Sequence, residues 1–187
     1  MPRNYTTLGA LRAELEVKGS VSFSLRFPDA VLIGCGVLPN MLPPGGPGAG
    51  TMDFKVDHDE QELQYSRALV ERIFLPRSRE HGFRGDVIIG RDRDADVVIA
   101  DFPLSRQHCR LIPPRDSAVD GLWHIEDMGS SNGTSVNHRQ LAPGAPRPLK
   151  TGDKVMLGRF GFRFFESATA LLDDDDPTRG YTLLPPM

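Results

Sequence analysis

Three short stretches carry the residues best suited to chemistry. Gly90-Arg91 comes first, Ser105-Arg106-Gln107-His108 second, and Asp127-Met128-Gly129-Ser130-Ser131-Asn132-Gly133-Thr134 third. They put an arginine, hydroxyls, a second cation and an amide on separate loops. A doubly charged oxyanion carried on a peptide needs such a set. A phosphorylated side chain brings about −1.5 to −2 charges at pH 7 and three strong acceptor oxygens. The planar arginine fork donates two parallel bonds to phosphate. Hydroxyls and backbone N–H groups in tight turns fill the remaining acceptors.

The loops need a rigid frame. After residue 68 the chain reads as short apolar runs between Asp-, Gly- and Pro-rich pieces. The runs are Leu69–Leu75, Val87–Ile89, Val97–Ile99, His108–Ile112, Leu122–Glu126, Thr134–Val136, Lys154–Leu157 and Phe160–Phe165. That spacing predicts an all-β sandwich or barrel. Upstream, Leu8, Leu11 and Leu15 recur at helical spacing, with Thr6 or Thr7 as N-cap. Val21, Phe23, Leu25 and Phe27 then alternate with polar residues and predict a half-buried strand. Ala30 to Leu38 predicts a second, more buried strand after a Pro28-Asp29 turn. Residues 1–50 are thus expected to hold a helix, a hairpin and a Pro/Gly linker at Pro39–Gly50, and residues 51–65 an ambiguous connection. Residues 66–167 form the β-rich domain. Residues 168–187 contain the acid run Asp173–Asp176 and read as a disordered or loosely attached tail.

Composition narrows the classes. With 39 % hydrophobic residues the chain can build a core. A formal net charge of −3 lacks the basic excess of a nucleic-acid binder. The N-terminus lacks a signal-peptide pattern. The run Ala30 to Leu38 is far short of the roughly twenty residues of a membrane helix. A cytoplasmic chain without membrane insertion is expected. Cys35 and Cys109 have no metal-ligand spacing; two buried thiols in a reducing compartment are the simplest reading, one disulfide the other.

Enzyme readings are weak. No G-x-S-x-G elbow surrounds Ser105, and its spacing to His108 on an extended strand would place the two on opposite faces. There is no phosphate-binding P-loop and no kinase motif set. His108, Cys109 and His124 lack paired zinc spacing. Asp92-Arg93-Asp94-Ala95-Asp96 lacks the glycine and terminal glutamate of a calcium loop and reads as a turn. Neither a cofactor nor a metal is expected.

The ordered pieces resemble the forkhead-associated (FHA) domain over roughly residues 66–167. They are Gly90-Arg91, Asp96-Val97-Val98-Ile99, Ser105-Arg106 with His108, Asp127 to Thr134, Val136-Asn137, and Thr151-Gly152-Asp153 with Val155, Leu157 and Gly158. The resemblance implies an eleven-stranded β-sandwich that binds phosphothreonine peptides, here with a small N-terminal helix and hairpin extension. It implies that Arg91, Ser105 and Arg106 meet the phosphate, and that Ser131 meets phosphate or peptide. Asn132 would hydrogen-bond the peptide backbone. Gly90, His108 and Gly133 would be architectural, with the His108 ring bracing the loops. One departure is Asn137-His138, where the family often has Asn-Gly; a non-glycine at positive φ questions the local turn.

Each residue also has a plainer role. Arg91 could pair with Asp92, Asp94 or Asp96, Ser105 could cap a turn, and Ser131-Asn132-Gly133 alone is an ordinary turn. Asp127 would repel a phosphate and reads as an acceptor bracing its own loop. The expected function is a non-enzymatic phosphothreonine-reading adaptor in Ser/Thr kinase signalling, with kinase substrates as partners. The alternative is a scaffold or assembly subunit working through its N-terminal element, its FHA-like module binding a partner regardless of phosphorylation. Thr178 or Thr182 offers a phosphorylation site for self-association through the tail; an inert acidic tail is the simpler reading.

Overall fold

The computed structural model describes residues 5–26, 30–37, 72–76, 85–100, 104–114 and 121–177. The linker Pro39–Gly50, the connection 51–65, and Thr178 and Thr182 lie outside these residues.

Two sheets face each other. In chain order the strands are β1 (Tyr5–Thr7), β2 (Val31–Val37), β3 (Arg72–Phe74), β4 (Val87–Gly90), β5 (Val97–Val98), β6 (Cys109–Ile112), β7 (Trp123–Asp127), β8 (Thr134–Val136), β9 (Arg139–Gln140), β10 (Arg147–Leu149), β11 (Lys154–Leu157) and β12 (Phe160–Phe165). One sheet runs β1-β3-β2-β12-β11-β8-β9 and the other β10-β7-β6-β4-β5. All pairs are antiparallel except β4 with β5. Alternate side chains of each strand point inward. Ile89, Leu111 and Ile125 from the smaller sheet thus meet Leu32, Val155 and Phe162 from the larger in one core.

The N-terminal region differs from its sequence pattern. Residues Leu8–Arg26 form a helix, α1, broken at Gly19 with φ 73° and ψ 162°. The strand expected at Val21–Phe27 is absent from its described part, residues 21–26. Only Phe23 of the alternating set is buried there; Val21 and Leu25 are 73 % and 78 % exposed. The second half turns back along the first, and Arg26 and Lys18 both reach Glu14 at 2.9 Å. On a straight helix residues 14 and 26 would be about 18 Å apart along the axis. Leu11 and Phe23 are thereby buried together against Val31, Ile33 and Cys35 of β2. Thr7 caps α1 as expected, its Oγ1 accepting the Ala10 N–H at 3.3 Å.

The expected hairpin extension is therefore a kinked helix followed by a strand built into the sandwich. β2 pairs with β12 along its length. Its run is apolar throughout because both faces are covered: Leu32 enters the sandwich core, while Val31 and Ile33 meet α1.

Residues 168–177, the described part of the tail, are ordered where their composition suggests otherwise. Ala168–Leu172 form a second helix, α2, whose N-cap Ser167 accepts the Ala170 N–H. Ala168 and Leu171 join the cluster beneath α1. The buried Arg163 guanidinium then holds the acid run. It binds Asp174 at 3.1 Å and donates to the Asp176 carbonyl at 3.0 Å. Up to residue 177 the acidic segment is docked, because a cation from β12 satisfies it.

Cys35 and Cys109 are free and buried, one in each cluster. Burial pushes the Cys35 thiol up to about 12 and raises Cys109 further.

The Asn137-His138 turn forms with both residues at positive φ, 49° and 65°. Asn137 is fixed by its side chain, which donates to Asp153 at 2.8 Å and accepts the Lys154 N–H at 3.0 Å. Among the described residues the exposed His138 has no such bond, and its left-handed backbone costs about 1–2 kcal/mol in an ordinary residue. His138→Gly is expected to raise stability by about 0.5–1 kcal/mol, read as a higher urea midpoint at unchanged slope.

Candidate functional site

The first loop leaves β4 at Gly90. Residues 91–96 turn the chain so that β5 runs parallel beside β4, with Ile89 opposite Val97. The turn is held internally: Asp92 O accepts the Ala95 N–H at 3.1 Å, and the buried Asp96 carboxylate accepts the Ile88 N–H at 2.8 Å. This matches the strand-to-strand turn expected for Asp92–Asp96. Among the described residues no three His, Cys, Asp or Glu side chains are grouped to hold a metal ion.

The second loop crosses directly over the first. The Arg91 N–H donates to Ser105 O and the Asp92 N–H to Arg106 O, both at 3.1 Å. Gly90 lies so close beneath that a Cβ there would overlap the Arg106 carbonyl. Its glycine is thus a matter of space: backbone fills the place of a side chain. Arg91 and Arg106 are exposed on this crossing, and Ser105 is half-buried.

The third loop is stitched to the second through Ser105. Its Oγ accepts the Ser131 N–H at 3.0 Å and lies 3.5 Å from Ser131 Oγ. Ser131 and Asn132 are exposed at the loop's crest. Gly133 follows with φ 73°, and the Gln140 side chain from β9 lies against it. Arg91, Ser105, Arg106 and Ser131 thus come from loops that hydrogen-bond one another, with Asn132 beside them.

His108 sits beneath this junction, fully buried. The geometry fixes its tautomer. Nδ1 accepts the Ser105 N–H at 3.2 Å, so it carries no proton; Nε2 therefore donates to the Gly133 carbonyl at 3.1 Å. The Gly158 N–H donates to the same carbonyl at 2.9 Å. The ring braces loops two and three and does not face the Ser105 hydroxyl as a base would. The chain bends at Arg106 and Gln107, and β6 starts only at Cys109.

Burial lowers the His108 pKa below its ordinary 6.5, against the Gly133 carbonyl bond and the nearby Asp127 charge, which raise it. The unfolded chain therefore binds the extra proton first, and stability falls as pH drops from about 6.5 towards the lower folded value. Urea titrations between pH 7.5 and 5.5 are expected to show this loss. His108→Gln should flatten the slope; an equal slope in the variant would put the proton uptake elsewhere.

Asp127 organises the third loop from inside. Oδ1 accepts the Gly129 and Ser130 N–H groups at 2.9 Å each; Oδ2 accepts Ser130 Oγ at 2.6 Å and Thr134 Oγ1 at 2.7 Å. These bonds outweigh burial, which alone would raise its pKa, and hold it below 3.8. The sequence reading placed Asp127 as a loop brace but missed Ser130 and Thr134 as its partners. An Asp followed two and three residues on by Gly and Ser is an Asx-turn signal that points to Ser130.

Residues 87–158 match the family model of the FHA domain. The chain is 33 % identical over 81 residues to an oxoglutarate dehydrogenase inhibitor of Corynebacterium diphtheriae, covering 43 % of this chain and 51 % of that protein. It is 36 % identical over 73 residues to the FHA domain-containing protein FhaB of Mycolicibacterium smegmatis, covering 39 % and 43 %. It is 35 % identical over 80 residues to a probable serine/threonine-protein kinase, fhkA, of Dictyostelium discoideum, covering 40 % and 13 %. The chain spans about half or less of the length of these relatives. The solved FHA domain of the CT664 protein from Chlamydia trachomatis is 22 % identical, with a TM-score of 0.44 over 75 % of this chain and 99 % of that one.

Proposed function

We propose that this chain, which carries an FHA domain at residues 87–158, is a non-catalytic reader of phosphothreonine peptides and acts as an adaptor in Ser/Thr kinase signalling. One observation carries the reading: the loops bearing Arg91, Ser105, Arg106 and Ser131 are tied together by the Arg91–Ser105, Asp92–Arg106 and Ser131–Ser105 bonds. Arg91, Ser105 and Arg106 supply charge and a hydroxyl to the phosphate, Ser131 a further donor, and Asn132 holds the peptide backbone. Gly90, His108 and Gly133 set the spacing. The partner is a phosphothreonine-bearing substrate of a Ser/Thr kinase, met in the cytoplasm.

Calorimetry with matched phosphothreonine, phosphoserine and unphosphorylated peptides from an oriented library tests this. Binding is expected only for phosphorylated peptides, with phosphothreonine favoured. One buried methyl contributes about 0.8 kcal/mol, roughly fourfold in affinity. Equal binding of all three would sink the reading.

A second reading, an assembly subunit working through its N-terminal element, draws support from α1. Val17, Val21 and Leu25 are 83 %, 73 % and 78 % exposed. Partner capture by the full chain that survives phosphatase treatment but is lost in a Val21→Asp/Leu25→Asp variant would favour it.

A further inference from the structure

The two sheets of the sandwich end on one side at β9 and β10. β9 is one edge of the larger sheet and β10 one edge of the smaller. The chain crosses between them through residues 141–146. The crossing is held by the Leu141 N–H to Thr134 O and the Gly144 N–H to Asp127 O, both at 2.9 Å. An open cleft of about 500 Å³ lies between these edges, within the several-hundred-Å³ range of ligand sites.

Its lining has two chemistries. Val136, Leu141, Ala142, Pro146 and Pro148 give it an apolar floor. Arg147 and Lys150 also line it, and among the described residues neither side chain has an ion pair. The carboxylate in the lining, Asp153, accepts the Asn137 amide at 2.8 Å on one oxygen and the Lys150 N–H at 2.9 Å on the other. With two cations against one carboxylate, the lining is net positive around an apolar trough. Pro148 removes a backbone donor from the β10 edge, so an added strand would lack full ladder bonding there. Recognition must come mainly from side chains.

We propose that this cleft docks an extended, unphosphorylated acidic segment of a partner protein, its apolar side chains on the Leu141–Pro148 floor and its carboxylates on Arg147 and Lys150. The surface does not depend on the phosphothreonine reading: it shares no ligand with the loops at Arg91, Ser105 and Ser131. It does abut them, because Gln140 lines the cleft while its amide lies against Gly133.

The test uses the full chain, 15N-labelled, and an end-blocked decapeptide of alternating glutamate and leucine. Its glutamine–leucine counterpart is the neutral control. Saturable amide shifts are expected at Gln140–Lys150, with the neutral peptide about tenfold weaker and the acidic one weakened by salt. Arg147→Glu/Lys150→Glu, both surface changes, should abolish binding while the melting temperature holds. A blocking variant, Ala142→Tyr, should reduce it without altering charge. Equal binding of both peptides would overturn the proposal. So would shifts centred on the Arg91 and Ser131 loops and lost in Arg91→Ala. Concentration-dependent shifts of the same amides without peptide would assign the cleft to a second copy and equally overturn it.

Discussion

Arg91→Ala is expected to weaken phosphothreonine-peptide binding tenfold or more while leaving the fold intact. The side chain is exposed, and its loop is tied to the second loop by backbone bonds, among them the Arg91 N–H to Ser105 O at 3.1 Å. Alanine keeps that bond. Surface changes of this kind usually alter stability by less than about 0.5 kcal/mol. Hydrogen bonds to charged groups are worth about 1.5–3 kcal/mol, and about 1.4 kcal/mol is tenfold in affinity. Losing one such bond therefore exceeds tenfold. Arg91→Lys keeps the charge without the fork and should fall between. Ser105→Ala should act in the same direction but less, because its hydroxyl also accepts the Ser131 N–H at 3.0 Å and the loss is shared with loop order. Calorimetry on variants with matched melting curves decides the matter. Unchanged affinity in Arg91→Ala would remove it from the site.

The sequence made the second half of the fold legible, and in the described part of the first half it made α1 and β2 legible and misled at Val21–Phe27, for physical reasons. β8, β11 and β12 fall where their apolar runs lie, because turn residues bound each run and burial enforces the alternation. β1, β9 and β10 are two or three residues long; such edges exist only because a neighbour pairs with them, as Tyr5 does with Phe74. Val21, Phe23 and Leu25 alternate like a strand, yet Gly19 lets the chain reverse and a single phenylalanine, Phe23, anchors the second half of α1. No local pattern distinguishes that outcome from a hairpin. The acid run reads as solvated because the cation that holds it, Arg163, sits inside β12 among phenylalanines. At the site, residue types were legible and their spatial logic was not. Gly90 is architectural, as the resemblance implies, but the source of its constraint, the Arg106 backbone across the loops, shows only in the structure. His108 looked like a brace; which nitrogen donates follows only from the Ser105 and Gly133 positions.

Asp127→Ala is expected to damage both stability and recognition, and comparing it with Asp127→Asn separates the two. The carboxylate is 1 % exposed and gathers two amides and two hydroxyls. Alanine leaves these donors without their acceptor at about 1–3 kcal/mol each when buried. The losses share one loop and do not add, so a total of about 3–4 kcal/mol is expected. Asparagine retains one acceptor oxygen, and its amide can donate to the Ser130 or Thr134 hydroxyl, so it should recover part of the stability. It should not recover the acid limb. The Asp127 carboxyl titrates below its ordinary 3.8 when folded, so its stabilisation is present above that value and is lost as pH falls through the folded pKa. Asp127→Asn should abolish this loss while leaving the His108 loss at higher pH in place. Recognition follows loop order: with Gly129 and Ser130 released, Ser131 no longer stands over Ser105, and phosphopeptide affinity should drop more than tenfold at temperatures where the variant is still folded. A variant that loses stability but binds at full affinity would show that the third loop assembles on the peptide rather than before it. The preorganisation assigned to Asp127 would then be wrong, even with every hydrogen bond above intact.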